Sequence, residues 1–435
     1  LMHSVNNGPC GSRVRQTGNF PAYNELKIPY ARLHDSSFCS NYGGEWTVDV
    51  HRIFCDFSAD ENDEKSYDFS ETDVYLQDIK SVGTEIFYRL GASIEHRKKY
   101  GTYPPKDFLK WAKICEHIIR HYNDGWANGF NFNIKYWEIW NEPDSKNSDG
   151  SNPCWQGTNE QFFEFFEVAS KYLKAKFPTL IIGGPAVCFY GSGFAQNFLP
   201  YAKEHNIPLD FFSFHCYGFT VEFMKETIEN FKRLLKENGY GDSEMILNEW
   251  NYIRGWLSDE YSYSLKTIRG LKGSSFMLGT MCMGQASELD MLMYYDARPC
   301  AFNGIFGLSG KEKYKSYYTA KAFSHLYELG GYVKEKGEIP NIYACAAMNE
   351  EEKAILVTYF DEKEEKPEKS IKLNIKNACK NICKRDPIKL EYFVVDENND
   401  LTLQREEIFT SDCISVIINL KLFESCLIKI KSYNE

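Results

Sequence analysis

Two glutamates stand at the ends of apolar segments and are of a residue type suited to acid–base chemistry. Glu142 closes the segment YWEIWNE (residues 136–142) and is followed by Pro143. Because proline disfavours the helical region for the residue before it, we expect the extended segment to end at Glu142. Glu249 is placed similarly in the segment MILNEWN (residues 245–251). Hydrolysis of a glycosidic bond requires such a pair, one group acting as general acid and the other as nucleophile or base.

The two glutamates can act together only if the fold brings them to one pocket. As far as about residue 330, short apolar segments alternate with stretches of helical periodicity, which is typical of βα units around a parallel sheet. Eight segments are candidate strands: Met2–Val5, Ile28–His34, Glu85–Leu90, Ile134–Trp140, Leu180–Gly184, Phe211–His215, Glu244–Glu249 and Leu289–Tyr295. Eight units predict an α/β fold of the (β/α)8 TIM-barrel type, whose chemistry lies at the C-terminal ends of the strands.

Glu142 follows the fourth candidate strand and Glu249 ends the seventh, so the two would face each other across the barrel mouth. At a separation of about 5 to 5.5 Å, Glu249 would attack the anomeric carbon and the anomeric configuration would be retained. Glu138, four residues before Glu142, is expected deeper in the barrel and is interpreted as structural. A doubly wound sheet is the alternative fold, but the glycines around residues 191–193 lack the spacing of a dinucleotide-binding turn.

The pattern of the chain changes after Gly330 and Gly331. Helical periodicity ends, and five β-rich segments follow: Ala354–Phe360, Ile371–Ile375, Leu390–Val395, Ile414–Leu420 and Cys426–Ile430. Turn-rich charged pieces such as residues 361–369 separate them and are expected to be solvated loops. We therefore predict a barrel over residues 1–331 and a C-terminal antiparallel β-sandwich over residues 332–435.

Several motifs resemble those of glycoside hydrolase family 39, the family of β-xylosidases and α-L-iduronidases. The family's I-W-N-E-P run is present at residues 139–143, and its nucleophile context is matched by N-E-W-N at residues 248–251. Three further pieces are similar: G-G-P-A at residues 183–186, R-x-H at residues 32–34, and S-x-H-x-Y at residues 213–217. Together these motifs extend over the whole predicted barrel, and the C-terminal β region also fits the family.

The resemblance implies a role for each matched residue. Glu142 would be the acid/base, Glu249 the nucleophile, and Asn141 a ligand of the hydroxyl next to the anomeric carbon. The glycone subsite would be lined by His34, His215 and Tyr217. The chain departs from the xylosidase pattern in two places: Trp250 replaces the usual Tyr after the nucleophile, and the last strand reads MYYDARP over residues 293–299. Three residues of that strand end are candidate substrate ligands, namely Tyr295, Asp296 and Arg298, although the last two could also form an ordinary ion pair.

The function implied is a retaining exo-glycosidase acting on plant-type oligosaccharides, with β-xylosidase as the first expectation. The unusual strand end at residues 295–298 leaves open an arabinosidase, or an enzyme that releases an arabinose-containing disaccharide. A non-catalytic carbohydrate-binding protein is the alternative from a different class. The aromatic residues Trp46, Trp155 and Trp256 fall in predicted loops near the mouth and could be packed anchors or sugar platforms.

Composition and charge narrow the classes of partner. The net charge of −11 would repel a polyanion, so nucleic acid is excluded as a partner. No segment approaches the roughly 20 apolar residues that cross a bilayer, and no signal peptide opens the chain. The 14 cysteines are scattered without a zinc-binding pattern, which favours a reducing compartment and hence the cytoplasm over secretion. We expect neither a metal nor an organic cofactor, and a homo-oligomer is possible, as in family-39 xylosidases.

Overall fold

The first part of the chain forms a closed parallel barrel. A computed structural model describes residues 1–34, 47–95, 98–334, 336–378 and 387–433. The eight barrel strands are β1 Ser4–Asn6, β2 Tyr30–Arg32, β3 Glu85–Leu90, β4 Tyr136–Ile139, β5 Ile181–Val187, β6 Phe211–Gly218, β7 Glu244–Tyr252 and β8 Met291–Tyr294. Each strand pairs in parallel with the next, and β1 closes the ring by pairing with β8. The predicted TIM barrel is confirmed, with every candidate strand in its place.

Helices surround this sheet, and residues just before a helix can fix where it begins. The helices are α1 Phe20–Glu25, α2 Val50–Ile53, α3 Ser70–Ser81, α4 Phe108–Asn123, α5 Asn159–Lys176, α6 Phe194–Glu204, α7 Val221–Glu237, α8 Ser258–Thr267, α9 Leu271–Ala286 and α10 Lys315–Leu329. Helix α5 begins after Thr158, whose hydroxyl accepts from the Gln161 N–H while the Gln161 side chain accepts from the Thr158 N–H. Within the described ranges, no helix has the length and apolar character needed to cross a membrane.

The C-terminal part is antiparallel. Its strands are β9 Gly331–Val333, β10 Ile342–Met348, β11 Glu352–Tyr359, β12 Lys369–Ile375, β13 Ile388–Val395, β14 Asp400–Phe409, β15 Ile414–Leu420 and β16 Ser425–Ser432. A six-stranded sheet in the order β14-β13-β16-β11-β10-β9 is accompanied by the pair β12-β15, and a shared apolar core is buried between them. This confirms the predicted sandwich, although β9 begins at Gly331, one residue before the predicted start of the second domain.

Three of these strands were missing from the prediction. Strand β9 begins two residues after helix α10 ends, β10 begins at Ile342, and β14 is a strand of mostly exposed side chains. In β14 the sequence DLTLQREEIF is largely charged and polar, because the strand pairs with β13 alone and faces solvent along most of its length. An edge strand of this kind does not show the apolar alternation on which the prediction depended.

The charged segment at residues 361–369 is not simply a solvated loop, as the sequence had suggested. Glu362 accepts hydrogen bonds from the Tyr252 hydroxyl at 3.0 Å, and the Lys272 ammonium lies 3.1 Å from the same carboxylate. Lys272 also lies 3.2 Å from Glu364, which accepts from the Tyr263 hydroxyl. The sandwich therefore contacts the barrel through carboxylates that meet cationic and hydroxyl groups near the end of β7.

Candidate active site

The backbone around Glu142 is held in an uncommon conformation. Trp140 and Glu142 have φ values of 74° and 45°, in the left-handed region that residues with side chains seldom adopt. The Glu142 N–H donates to the carbonyl of Ala186 at 3.0 Å, and the Trp140 indole donates to the carbonyl of Cys154 at 2.9 Å. The G-G-P-A segment at the end of β5 thus fixes the turn that directs the Glu142 side chain into the barrel mouth.

Glu249 is held by groups on or just after two other strands, β2 and β6. Its Oε1 accepts from the Tyr217 hydroxyl at 2.5 Å, and its Oε2 lies 3.3 Å from Nη1 of Arg32. The Nε2 atom of His34 lies 3.8 Å from the same Oε2. Strand β7 continues past Glu249 to Tyr252, so the carboxylate projects from a strand and not from a loop, at a point where the pairing with β6 and β8 shifts register. Its position is therefore defined by the barrel itself.

His215 lies between the two glutamates. Its Nδ1 is 2.7 Å from Oε1 of Glu142 and 3.5 Å from Oε2 of Glu249. One oxygen of each carboxylate and one ring nitrogen of His215 all lie within 4.8 Å of one another. The structure thus brings together the two glutamates that the sequence paired, with one oxygen of each within 4.8 Å of the other.

Burial dominates the electrostatics of this cluster. It lowers the pKa of His215 to about 4, so the imidazole is neutral near pH 7. Burial also raises the pKa of Glu249 to about 7, and the nearby charge of Glu142 acts in the same direction, while His215, Arg32 and Tyr217 oppose it. Two carboxyl groups this close in a buried site do not both ionise readily, so the pair tends to hold one proton.

Arg32 and Glu138 form a buried layer beneath the pair. Arg32 donates from Nε to Glu138 at 2.7 Å and from Nη2 to Oδ1 of Asn141 at 2.6 Å, while Glu138 accepts from Ser213 at 2.6 Å and from Asn248. Glu138 thus has the supporting position that the sequence suggested. Arg32 was overlooked as a site residue, although it lies two positions before His34 and so on the same face of β2.

An ion pair between Arg298 and Asp296 lies just after the end of β8. Arg298 donates from Nε to Oδ2 of Asp296 at 2.7 Å and from its backbone N–H to Oδ1 at 2.6 Å. Its Nη2 donates to the Tyr295 hydroxyl at 3.1 Å, and a cis peptide bond joins Tyr295 to Asp296. The Tyr295 ring lies 5.8 Å from the His34 ring. The three candidate residues of this strand end are therefore adjacent to the site, and two of them form the ion pair considered from sequence.

Some buried polar atoms in the site have no protein partner. Nδ2 of Asn141 and Nε2 of His215 are buried without a hydrogen bond. Asn141 binds Arg32 through its oxygen, and His215 approaches the two carboxylates through Nδ1, so the remaining nitrogen of each is available. Buried polar groups are seldom left without a partner, and hydroxyls of a bound molecule would satisfy them.

The three tryptophans named from sequence differ in environment. Trp155 is buried against Trp140 and Phe165, with ring centroids 5.2 and 5.4 Å away, so it is a packed anchor. Trp256 is 55% exposed and lies edge-on to Tyr217 at 5.0 Å. Trp46 lies outside the described residues.

Two cysteines near the acid/base candidate had no signal in the sequence. The Cys154 thiol lies 4.0 Å from Oε2 of Glu142, and the charge of Glu142 contributes, after burial, to the raised pKa of Cys188. Both lie in loops after β4 and β5, where an isolated cysteine has no pattern to distinguish it.

Among the described residues, one group has donor atoms close enough to hold a metal ion, and it consists of Glu142, His215 and Glu249. Carboxylate oxygens and an imidazole nitrogen are ligands that zinc accepts. The same atoms already form the contacts of a carboxyl pair with its supporting histidine. Glycoside hydrolysis by two carboxyl groups does not require an ion.

The sequence profile of glycosyl hydrolases family 39 matches residues 8–242, which is more than half of the chain. The chain belongs to glycosyl hydrolase family 39. The matched region includes four of the five motifs noted above and contains Glu142, while Glu249 lies a few residues beyond its end. Family membership therefore agrees with the resemblance found from sequence.

Individual relatives match the chain only in part or at low identity. A β-xylosidase of Geobacillus stearothermophilus is 32% identical over 117 residues, which are 26% of this chain and 21% of the relative. An α-1,4-L-rhamnosidase of Formosa agariphila is 20% identical over 276 residues, which are 60% of this chain and 54% of the relative. The chain thus matches about a fifth and about half of these relatives. The crystal structure of a glucosidase from Croceicoccus marinus has the same fold, with a TM-score of 0.80, 19% identity, and coverage of 100% of this chain and 96% of that one.

Proposed function

We propose that the protein is a retaining exo-glycosidase in which Glu142 is the acid/base and Glu249 the nucleophile. The observation that carries the proposal is the close approach of the two carboxylates, with one oxygen of each within 4.8 Å of the other. An inverting enzyme needs a wider gap to admit water between the sugar and its base. Two opposed, buried carboxyl groups also argue against a protein that only binds carbohydrate, because binding alone does not need such a pair.

The chemistry follows from the surroundings of each carboxyl group. Glu249 attacks the anomeric carbon while Glu142 gives its proton to the departing oxygen, which leaves a covalent glycosyl-enzyme and an ionised Glu142. Glu142 then takes a proton from water, the water oxygen attacks the anomeric carbon, and Glu249 departs as a carboxylate. Arg32 and Tyr217 stabilise the anionic form of Glu249 at the start and end of the cycle.

The assignment of the two roles depends on these donors. Glu249 accepts from a guanidinium and a phenol, and the contacts of Glu142 include a neutral imidazole and a thiol. A guanidinium favours an ionised neighbour, which suits a nucleophile. Once a substrate shields the pair, the shared proton belongs on Glu142, where the leaving oxygen must receive it.

The same site offers groups for the glycone. The unpaired Nδ2 of Asn141 is placed to bind the hydroxyl next to the anomeric carbon, and Nε2 of His215 is a second free polar atom. His34, Tyr217 and the β8 residues 295–298 complete the proposed subsite. This polar lining suits a sugar whose hydroxyls replace water at each position.

Among sugars, β-D-xylose is the first proposal, because a relative that is 32% identical over 117 residues is a β-xylosidase. A second candidate is an α-L-configured glycone such as arabinose, or a disaccharide that contains it. The β8 end motivates this alternative because it departs from the xylosidase pattern and places a buried ion pair of Asp296 and Arg298 beside the pocket. A second relative, 20% identical over 276 residues, is an α-1,4-L-rhamnosidase, so rhamnosides belong in the same screen.

The proposal is tested by chemical rescue. A panel of aryl glycosides, including β-D-xylosides, β-D-glucosides, α-L-arabinosides, α-L-rhamnosides and uronides, first identifies the glycone. Glu249→Ala is expected to abolish turnover and to regain it with azide, yielding a glycosyl azide of inverted configuration. Glu142→Ala with azide is expected to yield the azide of retained configuration. Turnover of the panel by Glu249→Ala without azide would contradict the assignment.

Glu244→Ala serves as the matched control for these variants. Glu244 is the first residue of β7, at the opposite end of the strand that contains Glu249, where it accepts from the Tyr136 hydroxyl at 2.8 Å. The substitution removes a glutamate from the same strand without touching the barrel mouth. It is expected to leave kcat close to that of the wild type, so a loss confined to Glu249→Ala identifies a role in the chemistry.

A further inference from the structure

Three large exposed aromatic side chains lie in loops after consecutive barrel strands, here called the aromatic sector of the mouth. Phe189 follows β5, Phe219 follows β6, and Trp256 follows β7, with exposed fractions of 53%, 40% and 55%. Loops after consecutive strands are neighbours at the C-terminal end of the barrel. Exposed aromatic surface beside a reaction site is costly in water and is commonly explained by a ligand that covers it.

Trp256 is the member of this sector closest to the chemistry. Its ring lies 5.0 Å from the Tyr217 ring, and the Tyr217 hydroxyl donates to the nucleophile Glu249. Phe302 and Tyr261 lie 6.2 Å from it, so three rings support the indole. A ring held by its neighbours loses little conformational freedom when a ligand binds. The exposed part of Trp256 is therefore a surface preorganised for ligand binding.

The residues after β8 and β2 have a different chemistry. Asp296, Arg298 and His34, from β8 and β2, are buried and polar. Such groups suit the glycone, which must exchange several hydroxyl–water hydrogen bonds for hydroxyl–protein ones. The leaving part of the substrate must instead reach solvent, and the exposed aromatic sector is where it meets apolar surface.

We propose that Trp256 is a stacking platform for the aglycone, and that the substrate class is therefore a glycoside whose leaving group contains a flat ring with an apolar face. A pyranose ring and an aromatic ring share this chemistry, since each presents C–H groups or a π-face to the indole. This inference rests on the proposed function, because it assumes that Glu142 and Glu249 cleave the bond beside the platform.

The test compares donors that share a glycone and differ in leaving group. The donors are a glycosyl fluoride, an aryl glycoside and a linear oligosaccharide, each with the glycone that the wild type accepts. For Trp256→Ala we expect kcat/KM to fall about tenfold for ring-bearing donors, and to stay within about twofold for the fluoride, which has no ring to stack. Trp256→Phe should retain most of the activity on ring-bearing donors, because a smaller ring still stacks.

Tyr332→Ala is the matched control, since Tyr332 is an exposed aromatic residue on β9, in the sandwich. Tyr332→Ala should leave kcat/KM unchanged for every donor. If kcat/KM of Trp256→Ala falls only for the aryl donor or only for the oligosaccharide, the platform binds that kind of leaving group. If it falls for both, the platform recognises the flat ring that they share. Equal loss on the fluoride, or none on ring-bearing donors, would overturn the inference while the proposed function stands. Absence of turnover of every donor by the wild type would overturn the proposed function itself.

Discussion

Arg32 joins the nucleophile candidate to a buried carboxylate: its guanidinium lies 3.3 Å from Glu249 and 2.7 Å from Glu138. All three side chains are buried, and the same guanidinium donates to Asn141. A planar group with several fixed donors can make these contacts at once, whereas an ammonium group cannot. The orientation of the nucleophile is therefore coupled to the layer beneath it.

The first prediction concerns this coupling. Arg32→Lys keeps the charge but loses the fork geometry, so Glu249 and Asn141 should both lose a donor. We expect kcat to fall about 100-fold, a loss typical of removing a fixed donor from a reaction site. Steady-state kinetics on the best aryl glycoside measures this, with circular dichroism to check folding. A folded Arg32→Lys variant with wild-type kcat would show that the contacts are not needed.

The second prediction concerns the Tyr217 hydroxyl. Its hydrogen bond lowers the pKa of Glu249, so Tyr217→Phe should raise that pKa further. Because the nucleophile must be ionised, the acidic limb of the kcat/KM profile should move to higher pH. Tyr252→Phe is the control, as Tyr252 binds Glu362 in the sandwich. A limb that stays in place or moves to lower pH would contradict the assigned contact.

The third prediction concerns a substitution that should shift the pKa of Glu249 in the opposite direction. The charge of Glu142 raises the pKa of Glu249, so Glu142→Gln should lower it and shift the acidic limb to lower pH. The profile is recorded with an activated aryl donor, whose departure does not depend on an acid. Donors with poor leaving groups should lose far more activity than activated ones. Equal losses on both kinds of donor would argue against Glu142 as the acid.

The fourth prediction concerns the contact between the sandwich and the barrel. Lys272 is nearly buried and pairs with Glu362 and Glu364, so Lys272→Met leaves two carboxylates without their cation. We expect the free energy of unfolding to fall by about 1 to 3 kcal/mol. Denaturant unfolding of this variant, of Glu362→Gln and of the double variant gives the coupling. Additive losses would show that the pair does not interact.

The barrel was predictable because each strand is a short apolar segment between amphipathic helices, and the glutamate pair because both residues end such segments. Arg32 could have been found from the alternation along β2. The contacts of Glu362 and Glu364 could not, because a charged segment has the same sequence pattern whether water or Lys272 meets it. Strand β14 was missed for the same reason, since an exposed edge strand contains few apolar residues.

The most direct measurement for the central claim is the site of covalent attachment. A 2-deoxy-2-fluoro glycosyl fluoride of the accepted glycone slows both steps and should trap the glycosyl-enzyme. Peptide mass spectrometry is expected to find the label on the peptide that contains Glu249, with one label per chain and none on Glu249→Ala. A label on Glu142 would show that Glu142 is the nucleophile and would contradict the assigned roles. Inactivation without a covalent label would contradict the double-displacement mechanism.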